Sequence, residues 1–361
     1  MTIAVSNEPV TFADLPGWAD DDHLAAFKAF CASAAATGGP AARRALDQAA
    51  GITTAAQARA FFEAHFRPAR ILHDGPRGLL TGYYEPIIEG SLQPSGSFTV
   101  PIYKRPADLE NVVSEAERGA KGGALTHVRR TVDGVTPYAT RADIEAGALT
   151  GQNLELCYLA DAVDAFFLHV QGSGVIRLAD GGQMRITYDG KNGHPYTSIG
   201  RTLIDEGAMT ADGLTLQVLG DYLRADPARG RGVMQRNASF VFFKELLSDS
   251  AAGVLGTPLV RGRSLAVDTA FHALGAPIYV SAPAMTHVKA LSLASAAAVR
   301  AAGSQAPDGF HRLMITHDVG SAIKGPERGD IYFGTGDAAL ALAGITKHPG
   351  SFFVLLPVDA P

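Results

Sequence analysis

Cysteine is almost absent from this 361-residue chain, which has only Cys31 and Cys157. Two cysteines cannot build a disulfide scaffold, and no C-x-x-C pair marks a thiol redox or zinc site. The residues leave open whether the two pair with each other. A basic excess is also missing: 31 Lys and Arg face 36 Asp and Glu, for a net charge of −5. That removes the electrostatic footprint of a nucleic-acid or anionic-membrane binder, whereas a weakly charged ligand remains compatible. No apolar run approaches the roughly 18 residues of a membrane-spanning helix. A secretory pattern is lacking too. The first basic residue is Lys28, acidic Glu8, Asp14 and Asp20 to Asp22 precede it, and no cysteine near the start offers a lipid attachment point. Composition alone therefore points to the cytosol.

What is present is a core-forming chain, 47% hydrophobic, with 40 Gly and 20 Pro spread along its length. That punctuation implies many turns and short strands rather than a linker or a fibre. The start reads as helical. Acidic Asp20 to Asp22 precede Leu24, Phe27, Phe30 and Cys31 at helix spacing, and Thr54 with Gln57 forms a capping box ahead of Phe61, Phe62 and Phe66. Gly38, Gly39 and Pro40 separate these helices. From about Leu72 the texture is β-rich, with strand-like runs at 79–84, 97–103, 154–159, 165–171 and 184–188. Further runs follow at 264–267, 277–280, 312–316, 330–333 and 352–357. Helices are expected near 215–224 and 337–343, and the Ala-rich stretch 292–302 reads as a surface helix or strand-loop. Short strands not interleaved with long helices argue for a barrel or sandwich over a doubly wound parallel sheet.

The densest polar cluster is His317-Asp318-Val319-Gly320-Ser321 through Lys324-Gly325 to Arg328-Gly329-Asp330. Asp318 closes one strand, Asp330 opens another, and Asp268 ends a third, so three aspartates at strand ends can converge on one cleft. Each also suits a turn cap. Asp318-Val319-Gly320-Ser321 is similar to the aspartic-protease signature, but Asp268-Thr269-Ala270 lacks the glycine of a second copy.

A second cluster, Thr81-Gly82-Tyr83-Tyr84-Glu85-Pro86, offers aromatic faces beside a carboxylate; that suits sugar stacking or simple strand packing. A third comprises Gln171-Gly172-Ser173-Gly174 and Gly190-Lys191-Asn192-Gly193-His194. It contains no phosphate-binding loop, no H-E-x-x-H metal pair and no G-x-S-x-G elbow, which leaves hydrogen bonding to a neutral polar polymer.

Together these blocks resemble the membrane-bound lytic murein transglycosylase A family, MltA. The resemblance runs from about Leu72 to Pro357 and includes Pro101-Ile102-Tyr103, Phe167 to Gly174, Gly190 to Arg201 and Asn237 to Phe243. The C-terminal part resembles the 3D domain, whose three aspartates match Asp268, Asp318 and Asp330. The resemblance implies a mainly β protein with a few helices: a double-psi β-barrel domain from residues 1–105 and 245–361, a smaller inserted β domain over 106–244, and a groove for glycan between them. It implies cleavage of the β-1,4 bond between N-acetylmuramic acid and N-acetylglucosamine in peptidoglycan, leaving a 1,6-anhydromuramic end.

The family's catalytic Asp falls on Asp330 and its supporting Asp on Asp318. Asp268, Thr81, Tyr83, Tyr84, Glu85, Gln171, Ser173, Asn192, His194 and Lys324 would contact substrate. No cofactor and no metal are implied. The expected partners are peptidoglycan strands and other cell-wall enzymes, for a monomeric protein. A substrate outside the cytoplasm reverses the compositional reading. It implies a periplasmic or outer-membrane location, with the signal or lipid anchor lying outside this sequence.

One carboxyl suffices for such a reaction if Asp330 is protonated first and acts as a base afterwards. Its ordinary pKa of about 3.9 must then be raised, by burial beside Ile331 and Phe333 or by repulsion from Asp318 or Asp268. Lys324 is accordingly expected to point away from Asp330, toward Asp318 or the glycan. A non-catalytic peptidoglycan-binding protein and a water-using glycosidase with an Asp pair are the alternatives.

Overall fold

The computed structural model describes residues 3–112, 125–285 and 309–358; the Ala-rich stretch 292–302 lies outside them. The protein is mainly β with several helices and divides into two compact units. One comprises Met1–Tyr83, Ala252–Gly334 and Ala341–Pro361, and the other Tyr84–Ala251 with Thr335–Leu340.

The first unit contains β1 (Val5–Pro9), β2 (Phe66–His73), β3 (Leu79–Glu85), β13 (Ser264–Val267), β14 (Pro277–Ala282), β15 (Phe310–Val319), β16 (Arg328–Thr335), β17 (Lys347–Pro349) and β18 (Ser351–Pro357). Their order is β1-β2-β18-β14-β15-β13-β16-β3-β17. Short β13 lies parallel to β15 and antiparallel to β16.

Helices α1 (His23–Thr37), α2 (Pro40–Gln48) and α3 (Ala55–His65) belong to the same unit. The expected start signals operate. The Asp22 carboxylate accepts from the Ala25 N–H, and Thr54 and Gln57 form the capping box. Phe27, Phe30, Phe61, Phe62 and Phe66 pack with Tyr279, Leu313, Ile315 and Phe353 in one core. Buried Arg263 ties the chain ahead of α1 to the sheet: Nη1 and Nη2 lie 2.9 and 2.7 Å from the two Asp21 carboxylate oxygens, and Nη1 also donates to Leu313 O at 2.8 Å.

The second unit holds β4 (Ile87–Ser91), β5 (Val100–Tyr103), β9 (Glu155–Leu159), β10 (Ser173–Leu178), β11 (Gln183–Lys191) and β12 (Val241–Glu245), in the order β12-β11-β10-β4-β9-β5. A separate sheet joins β6 (Leu109–Asn111), β7 (His127–Thr131) and β8 (Gly134–Pro137). The helices are α4 (Arg141–Asp143), α5 (Ala162–Gln171), α6 (Ile199–Asp205), α7 (Leu216–Ala225) and α8 (Pro227–Gln235); α9 (Asp337–Ala343) spans segments of both units.

Two expectations change. The strand-like run 165–171 is part of α5. Asp161 caps the start through Val163 N at 2.7 Å, and Gly172, with φ 80°, ends the helix. Ala165 and Leu168 enter one core, while Val163 and Phe166 enter another. A helix buried on two faces loses its amphipathic stripe and reads like a buried strand. The unit boundary also differs from 105/106, because β4 and β5 are hydrogen-bonded into the second sheet. Helices α2, α4, α6 and α8 were not among the expected elements.

Candidate active site

Asp318 and Asp330 flank the short central strand β13. Asp330 lies opposite Ala266 on β16, and Asp318 lies opposite the same Ala266 on β15. Residues directly opposite each other project to one face, so the register puts both carboxylates on the same side, their backbones two strand spacings or roughly 10 Å apart. An irregularity makes this possible. Thr316 pairs with Leu265 and Asp318 with Ala266, so His317 is the extra residue of a bulge. Without it His317 would stand opposite Ala266. The bulge instead buries His317, which meets Ser264 Oγ at 2.7 Å and Ala29 O at 3.1 Å, and re-aims Asp318.

Strand β3 supplies the supports. Thr81 and Tyr83 alternate with Gly82 and so share a face. The Thr81 hydroxyl donates to Asp330 Oδ1 at 2.6 Å, and the Tyr83 hydroxyl donates to Asp318 Oδ2 at 3.0 Å. Between them, a Cβ on Gly82 would collide with the Phe333 ring and the Ala343 backbone, which explains the glycine in Thr-Gly-Tyr. Tyr83 also lies against Tyr332, ring centroids 5.3 Å apart.

Both aspartates are densely surrounded yet remain partly exposed. Burial raises the Asp318 carboxyl to about 6, with the Asp330 charge adding to it and hydrogen bonds from Val319, Tyr83 and Val254 opposing it. Burial also raises Asp330, against the lowering influence of Arg328 and of Thr81. Tyr83 is held neutral by burial and by both carboxylates. Arg328, which sequence reasoning passed over, is the cation of this site. Its Nη2 donates to Thr81 Oγ1 at 2.9 Å and its Nη1 to Gly329 O at 2.7 Å. The available signal was period-two spacing, because Arg328 stands two residues before Asp330 on one strand.

Asp268 is placed differently. It is 4% exposed, accepts from Ala270 N at 3.2 Å and Gly325 N at 3.0 Å, and thereby pins the turn after β13 to the loop containing Gly325. Lys324 Nζ lies 3.9 Å from Asp268 Oδ1, so it pairs with Asp268 and not with Asp318.

The other six candidates belong to the second unit, where their polar groups serve its internal framework. Gln171 Oε1 accepts from Tyr84 N at 3.1 Å, and Tyr84 itself is buried. Glu85 is 0% exposed, ion-paired with Arg185, and accepts from Thr335 Oγ1 at 2.7 Å. Ser173 is buried on β10 opposite Thr187. Asn192, also 0% exposed, donates to Ala139 O and Ala238 O at 2.8 Å each and accepts from Phe240 N at 2.9 Å. His194 Nε2 meets Tyr138 O at 2.8 Å. The structure thus seats Glu85 and Asn192 inside the protein, not at a ligand-facing surface.

The profile of the MltA specific insert domain matches residues 79–244, and that of the 3D domain matches residues 263–356. The membrane-bound lytic murein transglycosylase A of Vibrio cholerae serotype O1 is 32% identical over 289 residues, covering 78% of this chain and 67% of that protein. The chain belongs to the MltA family.

Among MltA-family structures, the membrane-bound lytic murein transglycosylase from Agrobacterium tumefaciens superposes with a TM-score of 0.83 at 33% identity, covering 98% of each chain. Escherichia coli MltA with bound chitohexaose gives a TM-score of 0.67 at 25% identity, covering 99% of this chain and 95% of that one. The chain spans about two thirds of the length of the curated Vibrio relative.

Proposed function

We propose that the protein is a lytic transglycosylase that cleaves the β-1,4 bond between N-acetylmuramic acid and N-acetylglucosamine in peptidoglycan with formation of a 1,6-anhydromuramic end. The observation that carries this reading is the partly exposed Asp330, whose carboxyl burial raises above its ordinary value and whose Oδ2 has no hydrogen-bond partner among the described residues. Protonated Asp330 donates to the glycosidic oxygen as the C1–O bond breaks and its electron pair passes to that oxygen. The ring becomes oxocarbenium-like. The muramic C6 hydroxyl attacks C1 and gives its proton to the Asp330 carboxylate, which restores the starting acid. The nucleophile belongs to the same sugar, so little entropy is lost in reaching attack geometry.

Asp318 serves as a fixed negative neighbour. Both its oxygens accept hydrogen bonds, from Val319 N at 3.0 Å and from the Tyr83 hydroxyl. A carboxylate so occupied is poorly placed to activate water, which disfavours the two-carboxylate hydrolytic alternative. Repulsion couples it to Asp330, and as a carboxylate it would stabilise the positive ring. The sheet of the first unit would be the double-psi β-barrel and the second unit the inserted domain. Chitohexaose in the E. coli relative supports a glycan ligand, and the membrane-bound relatives support a place in the cell envelope. Incubation with purified peptidoglycan and mass spectrometry of the products tests the reading: 1,6-anhydromuropeptides are expected, and bound glycan without turnover would refute it.

A further inference from the structure

Asp330 has two oxygens, and only one of them can carry the acidic proton. The structure bears on which. Arg328 Nη2 lies 2.9 Å from Thr81 Oγ1, and a guanidinium can only donate, so Thr81 accepts there. Thr81 has a single hydroxyl hydrogen, and its other hydrogen-bond partner among the described residues is Asp330 Oδ1, at 2.6 Å. Directing that hydrogen to Oδ1 satisfies all three groups. A proton on Oδ1 would weaken that oxygen as the acceptor for the Thr81 hydrogen. Oδ2 has no hydrogen-bond partner among the described residues.

We propose that Arg328 is a positioning residue that acts through Thr81 to keep Oδ1 of Asp330 an acceptor and leave the acidic proton on Oδ2. This rests on the reading of Asp330 as the general acid. The arrangement fixes more than direction. Arg328 places a positive charge near a carboxyl that burial alone would drive further up, so it sets the upper pH limit at which the acid form persists. Among the described residues, the Asp330 charge also acts on Asp318 on β15 and on Tyr83 on β3, and Tyr332 on β16 lies against Tyr83. Lys324 is engaged by Asp268.

The test reads Asp330 itself, by 13C-carboxyl NMR titration, with the resonance assigned by its loss in Asp330→Asn. Arg328→Met removes both donor and charge, Arg328→Gln keeps a donor and loses the charge, and Arg328→Lys keeps the charge. The expected result is an upward move of about one pH unit or more in the Met and Gln variants, with Lys close to the parent protein. The alkaline limb of anhydromuropeptide release should move upward by the same amount. Gln carries the charge test on its own if Met does not fold. An Asp330 titration that stays in place in the charge-removing variants overturns the proposal. If the titration moves but the parent protein releases no anhydro sugar, the action of Arg328 on Asp330 stands and the transglycosylase reading falls.

Discussion

Two carboxylate environments in the same unit are both pushed up by burial yet end with net shifts of opposite sign. Asp21 is 3% exposed at its side chain, and burial alone would push its carboxyl up. Facing Arg263, with both oxygens engaged and Leu313 N donating at 2.7 Å, it is instead held below the ordinary range. At Asp318 and Asp330 burial wins. Arg328 reaches Asp330 through a hydroxyl, and Asp318 receives neutral donors. A cation in direct two-pronged contact outweighs desolvation, whereas one acting through an intermediary only moderates it. The first arrangement stabilises the sheet and its helices; the second leaves two carboxyls raised above their ordinary value at a partly exposed surface.

The largest effect should come from removing that acid. Asp330→Asn is expected to lower anhydromuropeptide release by about 10²–10⁴-fold, the usual contribution of a general acid, with the thermal unfolding midpoint unreduced. Breaking the other member of the comparison should act on folding. Asp21→Ala leaves Arg263 buried without its partner and should cost about 3–5 kcal/mol in urea unfolding, with activity preserved in whatever fraction remains folded.

Asp318→Asn gives a smaller, pH-dependent effect. Asp318 holds its proton to about pH 6 when folded and to about 3.9 when unfolded. The stability this adds is complete below about pH 4 and is lost as pH rises through 6. The gap in unfolding free energy between parent and Asp318→Asn should therefore change by about 3 kcal/mol between pH 4 and 7, in favour of the variant at pH 7.

The sequence made the helix caps visible, because Asp22, Thr54 and Gln57 act on backbone a few residues away. It made Thr81, Tyr83, Asp318 and Asp330 visible as blocks similar to a known family. It did not reveal the bulge at His317, since strand periodicity carries no mark of an extra residue, nor the helical state of 165–171, where two buried faces erase the polar stripe. Glu85 and Asn192 looked available for sugar because they are polar. Their partners, Arg185 for one and Ala139, Ala238 and Phe240 for the other, are distant in sequence. Arg328 was overlooked because its role passes through Thr81, 247 residues away.

The proposal that the attacking oxygen belongs to the sugar and not to water is tested most directly by digesting peptidoglycan in 18O-enriched water. Intramolecular attack predicts 1,6-anhydromuramic ends with no 18O at C1. Reducing muramic ends carrying 18O would contradict it.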